Sequence, residues 1–376
     1  MHLLRGQRKV VKVIIATSMF WIFIGFLFSS SQHHIATAIL RPSIPCPTSS
    51  NILQEYPLPV FHSDQELLRH AFHRAIEGPP GPGHPRIAFL FVVRGPIPLE
   101  PVWRKYLQGH EHLWSLYVHP SNPVDYKFPP SSLFHEKEIP SKPVARISMS
   151  LVDAIRRLLA YALADPRYNN TWFVNICEST SPIRSFPAAY HYLTNSHHSF
   201  VEAFLPDEKY QQWETTPEFP ISELRKGETW MQMTRKHATI VVSDKVIYSR
   251  FAASCSLWCA PDEEYFQTLL HLEDGAGIAN RTTMWTDWKE PRVIAGSPRL
   301  FGPGDVSEWL FKEIRKKTRE WDGLKQDSAL DKSEFGMTPI CEYNGIANSP
   351  CYLFARKFDS NTASAILDVI SKLPGF

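Results

Sequence analysis

Ile87-Ala-Phe-Leu-Phe-Val-Val93 is an unbroken apolar run of strand length. A strand with one wet face alternates apolar and polar residues. A run without alternation reads as a strand buried on both faces, as in a parallel sheet covered by helices. It ends at Arg94-Gly-Pro96, a loop. Outward from this run, Leu99–Gln108 reads as a helix, and Trp114-Ser-Leu-Tyr-Val-His119 as a second strand halted by Pro120. Ser150–Ala164 reads as a helix with Leu151, Ile155, Leu158, Leu159 and Ala162 on one side. Thr171–Cys177 is a third strand, Phe186–Thr194 a helix, and Ser199–Ala203 strand-like. Alternating strands and helices predict an α/β fold, with a mostly parallel central sheet and helices on both faces. Ligands of such sheets bind beyond the carboxyl ends of the strands. Arg94, His119 and Glu178 stand at those ends and are candidates by position.

The N-terminus has a different character. Arg5, Arg8, Lys9 and Lys12 precede Val13 to Phe28, a stretch without charge. As a helix it spans roughly 24 Å at about 1.5 Å per residue, against ~30 Å for the hydrocarbon layer. Val10, Val11 and the flanking serines close the gap, with Lys12 snorkelling to the headgroups. Basic residues before the span predict a cytosolic N-terminus. The expected division is a cytosolic tail over 1–12, a signal-anchor transmembrane helix over 13–31, a stem over 32–85 and a lumenal body over 86–376. A signal peptide cleaved near Ala36-Thr37-Ala38 is the alternative. A short anchor fits the thinner membranes of the early secretory pathway, and the Golgi membrane is the expected location. Residues 41–85 are rich in Pro and Ser and end in Gly78-Pro-Pro-Gly-Pro-Gly83, which reads as an extended, poorly packed linker.

Composition narrows the function classes. The chain has 376 residues and a formal net charge of +2, so no strong basic field points to nucleic acid. There is no Gly-x-Gly-x-x-Gly and no Walker-type loop, against a dinucleotide dehydrogenase or a P-loop enzyme. Asn169-Asn-Thr171 and Asn280-Arg-Thr282 are glycosylation sequons, consistent with a lumenal body. The six cysteines are Cys46, Cys177, Cys255, Cys259, Cys341 and Cys351. Cys255 with Cys259 and Cys341 with Cys351 are plausible local pairs among the fifteen pairings that six cysteines allow. Zinc is the alternative, but no Cys-x-x-Cys supports it.

Two segments carry chemistry. Cys259-Ala-Pro-Asp-Glu-Glu-Tyr-Phe266 clusters carboxylates, which can take a proton from a nucleophile. Leu353-Phe-Ala-Arg-Lys-Phe358 sets two cations on an apolar strand-like run, which can hold phosphate. Together they point to group transfer from a phosphate-activated donor to a hydroxyl. No Asp-x-Asp metal clamp occurs anywhere in the chain, so side chains are expected to neutralise the leaving group and no metal or other cofactor is expected.

These segments belong to an ordered series: Arg86-Ile-Ala-Phe-Leu-Phe91, Tyr117-Val-His119, Asn175-Ile-Cys-Glu-Ser-Thr-Ser-Pro-Ile183, Arg225-Lys-Gly-Glu-Thr-Trp230, Pro261-Asp-Glu-Glu-Tyr-Phe266, Asn280-Arg-Thr-Thr-Met-Trp-Thr-Asp-Trp288 and Leu353–Phe358. The series resembles the core-2/I-branching β-1,6-N-acetylglucosaminyltransferases, glycosyltransferase family 14, and within them the large plant branch. The resemblance implies a variant GT-A glycosyltransferase fold. It also implies an inverting, metal-independent transfer from a UDP-sugar to a glycan hydroxyl. The sugar would be N-acetylglucosamine, glucuronic acid or xylose. A catalytically inactive family member acting as a lumenal partner or glycan-binding protein is the alternative.

The resemblance also distributes roles. Glu263 matches the family's base, with Asp262 and Glu264 expected to raise its pKa as neighbouring like charges. An exposed acidic helix start is the plainer reading of the same three residues. Lys357 matches a cation on the donor diphosphate. Arg356 is expected to face the other way on a strand, and Arg299 is a substitute for a second family cation that this chain lacks at its usual place. Val93, Arg94 and His119 are expected near uracil and ribose. Glu178, Lys226, Trp230, Asp287 and Trp288 are expected on the acceptor side, with Trp288 matching an acceptor-side tryptophan that could stack on a sugar. The aromatic that follows it in the family is replaced here by Lys289 or Glu290.

Overall fold

In the computed structural model, residues 59–78, 81–123, 126–206, 220, 222–255, 259–288, 297–316 and 341–376 are described. In chain order the elements are α1 (Asp64–Ile76), β1 (Arg86–Val93), α2 (Glu100–Leu107), β2 (Trp114–Pro120), α3 (Met149–Ala164), β3 (Asn170–Cys177), β4 (Ser181–Pro182) and α4 (Phe186–Thr194). There follow β5 (Gln232–Thr234), α5 (Arg235–Ser243), α6 (Val246–Ser254), α7 (Pro261–Asp274), β6 (Met284–Thr286), α8 (Glu308–Lys316), β7 (Phe354–Arg356) and α9 (Ala363–Lys372). All fall in one unit, Leu58–Phe376. The expected tail, anchor and most of the stem lie outside the described residues. Among the described residues no helix is long and apolar enough to cross a membrane.

β1 is the centre of a four-stranded sheet of order β2-β1-β3-β5. β2 and β3 flank it in parallel, and β5 pairs antiparallel with β3. The lack of alternation in β1 has a direct cause. Ile87, Phe89, Phe91 and Val93 enter one core while Ala88, Leu90 and Val92 enter the other. The second core lies under α1, α3, α5 and α7, with Leu158, Phe173, Val241 and Phe266 buried in it. The first is closed by α2, α4 and α9 and by a small sheet of order β4-β7-β6. Here Trp103 and Phe354 stack at 6.2 Å between ring centroids.

The expected α/β class and parallel-rich sheet are present, with three corrections. One face carries a second sheet as well as helices, because strands of two or three residues leave no periodic signal. Ser199–Ala203 forms only isolated bridges, Ser199 to Ile278 and Phe200 to Gln232, rather than a strand. The stretch expected as an extended linker contains α1. Ser63 caps that helix by accepting from the Glu66 N–H, and Leu67 and Ala71 are buried against α3. Its Asp64 pairs with Arg157 of α3 at 2.6 Å. Helix α8 buries Phe311 and Ile314 and is described as far as Lys316, residues 317–340 lying outside the described residues.

Candidate active site

The carboxylate cluster opens α7. Pro261 at the first helical position lacks the N–H that a helix start leaves unused, and Asp262, Glu263 and Glu264 fill the first turn, where the helix dipole favours negative charge. The helix start is therefore real, but it is not a uniformly exposed one. Asp262 and Glu264 are buried, whereas the Glu263 side chain keeps 41% of its surface open. Glu263 is pushed up to about 7, first by burial and then by Asp262, Glu228 and Glu264, with Lys226 opposing. The expected elevation is present, but desolvation leads and the neighbouring charges follow. Asp262 is also raised, chiefly by burial, and accepts from Thr229 Oγ1 at 2.7 Å.

The segment 225–230 runs along this helix start. The Gly227 N–H donates to the Glu263 carbonyl at 2.9 Å, and Lys226 and Phe204 exchange two backbone hydrogen bonds of 2.8 Å. Glycine is required at 227, since a Cβ there would lie 2.5 Å from Glu202 Cβ and 2.6 Å from its carbonyl oxygen. This lacing delivers Lys226 Nζ to within 3.2 Å of Glu264 Oε1 and 3.6 Å of Glu263 Oε2. It also delivers Glu228, which the sequence reading passed over. The Trp288 indole N–H donates to Glu228 Oε1 at 2.9 Å, so two candidate acceptor-side segments meet here. Burial raises the Glu228 pKa, while Arg356 lowers it.

β7 brings the two cations. Arg356 is its last residue and Lys357 the next, and their surroundings differ. Arg356 is buried, with its guanidinium 4.6 Å over the Trp230 ring and facing Glu228. Lys357 is half-buried, and burial lowers its pKa, helped by Arg356, Arg146 and Arg94. Among the described residues Lys357 makes no ion pair. Its backbone sits at the sheet ends, its carbonyl accepting from the Phe301 N–H at 2.8 Å, while the next residue, Phe358, donates to the Ser179 carbonyl at 2.9 Å. Arg146 faces both Lys357 and Asp262 and so joins the cationic and acidic sides.

The remaining candidates divide. Arg94 and Glu178, at the ends of β1 and β3, pair with each other at 2.7 Å. Arg299 pairs with Asp305 at 2.9 Å, stacks on Phe301 and joins its N–H to the carbonyl of the buried Asp287. Val93 is buried, with its carbonyl accepting from the Ser121 N–H. His119 is fully buried beside Arg157, 3.4 Å away, and turns to the interior. Burial, aided by Arg157, pushes it down to about 4. Asn169 is partly exposed. Asn280 takes a left-handed conformation at φ 48°, its Oδ1 accepting from the Ala203 N–H, and the Thr282 hydroxyl of the same sequon donates to the Trp230 carbonyl. Cys255–Cys259 and Cys341–Cys351 are disulfides, with Cα atoms 5.3 and 5.5 Å apart, and Cys177 is a buried free thiol. Cys46 lies outside the described residues. Among those residues no group of three or more His, Cys, Asp or Glu is arranged to hold a metal ion.

A partly exposed carboxylate of raised pKa, with Arg146 acting on both its neighbour Asp262 and Lys357, fits proton removal coupled to departure of an anion. Comparison with known proteins agrees with that chemistry. The family model described as "Branch: Core-2/I-Branching enzyme" matches residues 87–315. The chain is 30% identical over 329 residues to Glycosyltransferase BC10 of Oryza sativa subsp. japonica, covering 78% of each protein. The chain therefore belongs to the core-2/I-branching enzyme family and is a glycosyltransferase.

Proposed function

We propose that this enzyme transfers a sugar from a UDP-sugar to a glycan hydroxyl in one inverting step, without a metal. Glu263 takes the acceptor proton as that oxygen forms its bond to the sugar's C1. The bond from C1 to the diphosphate breaks, and its electron pair leaves with UDP. Lys357 stabilises the charge gathering on the diphosphate, with Arg94 and Arg146 nearby. The observation that carries the reading is Glu263: a partly exposed carboxylate, raised to about 7 chiefly by burial, with Lys226 3.6 Å away and its neighbours Asp262 and Glu264 buried. In the same proposal the body lies in the Golgi lumen behind a type II anchor over 13–31, with the lipid bilayer as a further partner and no nucleic acid.

The test is calorimetric titration of the full-length protein with UDP, then transfer from a panel of UDP-sugars with and without EDTA. Binding of UDP and EDTA-resistant transfer are expected. Loss of transfer in EDTA would overturn the metal-free step. UDP binding without turnover of any donor would favour an inactive, partner-like role.

A further inference from the structure

Helix α7 starts without a side-chain cap. Its N-cap residue is Ala260, whose methyl group can accept nothing from the free N–H groups of the first turn. Just before it stands a covalent tie. Cys259 is bonded to Cys255, the residue that closes α6, where the Cys255 N–H donates to the Phe251 carbonyl at 2.9 Å. Cys259 is buried, and its Sγ touches Glu264 Oε2 at 3.3 Å. The other oxygen, Oε1, accepts from the Ala260 N–H at 3.3 Å and meets Lys226 Nζ at 3.2 Å. The same ammonium is 3.6 Å from Glu263. Short contacts therefore lead from the disulfide through Glu264 and Lys226 to the proposed base. The body of α6 is held to α7 separately, with Tyr248 and Phe251 edge-on to Tyr265 at 6.0 and 5.9 Å. A disulfide adds most to global stability when it closes a long loop, and here the separation is only four residues. The weight of this bond is therefore local.

Building on the proposed role of Glu263, we infer that the Cys255–Cys259 disulfide is a positioning element for the base. It stands in for the missing cap and keeps the first turn of α7, with Glu264 and Lys226, closed around Glu263. With the bond open, the uncapped turn frays, water reaches Glu263 and the acceptor hydroxyl loses its alignment with the carboxylate. The groups that face Glu263 are Asp262 and Glu264 of its own turn and Lys226 and Glu228 of the adjoining segment, with Arg146 acting on Asp262. None of them belongs to α6, so opening the bond removes no charge, and what changes is burial. Burial is the first cause of the raised Glu263 pKa, so its loss outweighs a slackened Lys226 and the pKa falls toward the ordinary 4.5.

The experiment compares the full-length protein with its Cys255→Ser/Cys259→Ser variant. It measures UDP affinity by calorimetry, and transfer against pH with UDP-N-acetylglucosamine, UDP-glucuronic acid and UDP-xylose as donors. In the variant UDP affinity should hold, transfer should fall roughly tenfold or more, and the midpoint of kcat/KM for the acceptor should move to lower pH. The same readings on wild type opened by mild dithiothreitol cover a variant that fails to fold. The reagent gives the bond two electrons and two protons and leaves as its own cyclic disulfide. Cys255 is partly exposed, whereas Cys341 and Cys351 are each 1% exposed, so the first bond should open before the second, which alkylation and mass measurement check. Re-oxidation should restore the rate. A midpoint that does not move once the bond is open overturns the inference, whatever the rate does, and leaves the transfer reading intact. Loss of UDP binding on opening also overturns it, since the bond would then hold the fold and not the base. No turnover of any of the three donors by wild type sinks the transfer reading and the inference together.

Discussion

Lys226 Nζ sits between two carboxylates, 3.2 Å from buried Glu264 and 3.6 Å from the more open Glu263. Glu264 fixes the ammonium in place, and the ammonium then restrains the rise in the Glu263 pKa. A base must be deprotonated to act, so kcat/KM for the acceptor should rise with pH through about 7 and level off above it. Lys226→Met removes the restraint and should move that midpoint to higher pH. A midpoint unmoved or moved to lower pH would show that another group controls the profile.

Glu263→Gln should lower transfer by about a hundredfold or more, the usual contribution of a general base. UDP affinity should hold, because in the proposed transfer the carboxylate serves the acceptor and not the nucleotide. Calorimetry and steady-state rates on the same preparation separate the two effects.

Lys357→Ala should weaken UDP binding by roughly tenfold or more, as expected for a charge-assisted contact of about 1.5–3 kcal/mol. Arg356→Ala, which loses a head group stacked on Trp230 and opposed to Glu228, should change UDP affinity less. Equal losses in the two variants would contradict the assignment of the diphosphate to Lys357.

His119 links pH to stability. Its folded pKa of about 4 lies below the ordinary 6.5 because it is buried beside Arg157. The unfolded chain therefore binds more protons between those values, and stability falls as pH drops below about 6.5. The loss should reach roughly 2 kcal/mol by pH 5. Denaturant melts of wild type and His119→Gln at pH 7 and pH 5 check this. The difference between the two pH values should be smaller in the variant, whatever its absolute stability.

Much of this body was legible in the residues. Strands filling two cores announce themselves as unbroken apolar runs, so β1, β2 and β3 were placed to within a residue or two. The short strands of the β4-β7-β6 sheet could not be, because their pairing is set by contacts from distant parts of the chain. Helix α1 could have been found: Ser63 followed by Glu66 is a capping signal, masked by the prolines around it. In the site, Glu263 and Lys357 stood in recognisable segments. Glu228 did not, since its contacts with Trp288 and Arg356 exist only once the chain is folded. Nor could the sequence foresee that Arg94 and Glu178, assigned to different ligands, are held to each other.

Helix α1 bears on how a soluble form of the enzyme should be cut. A chain begun near residue 80, where the glycines and prolines invite a boundary, would lose Leu67 and Ala71 from the face of α3. It would also lose Asp64, leaving Arg157 buried with its side chain 6% exposed and its counter-ion gone. An orphaned interior charge of that kind typically costs about 3–5 kcal/mol, a large share of a domain's whole margin. A secreted version starting upstream of His62 should keep its shape where the shorter one aggregates.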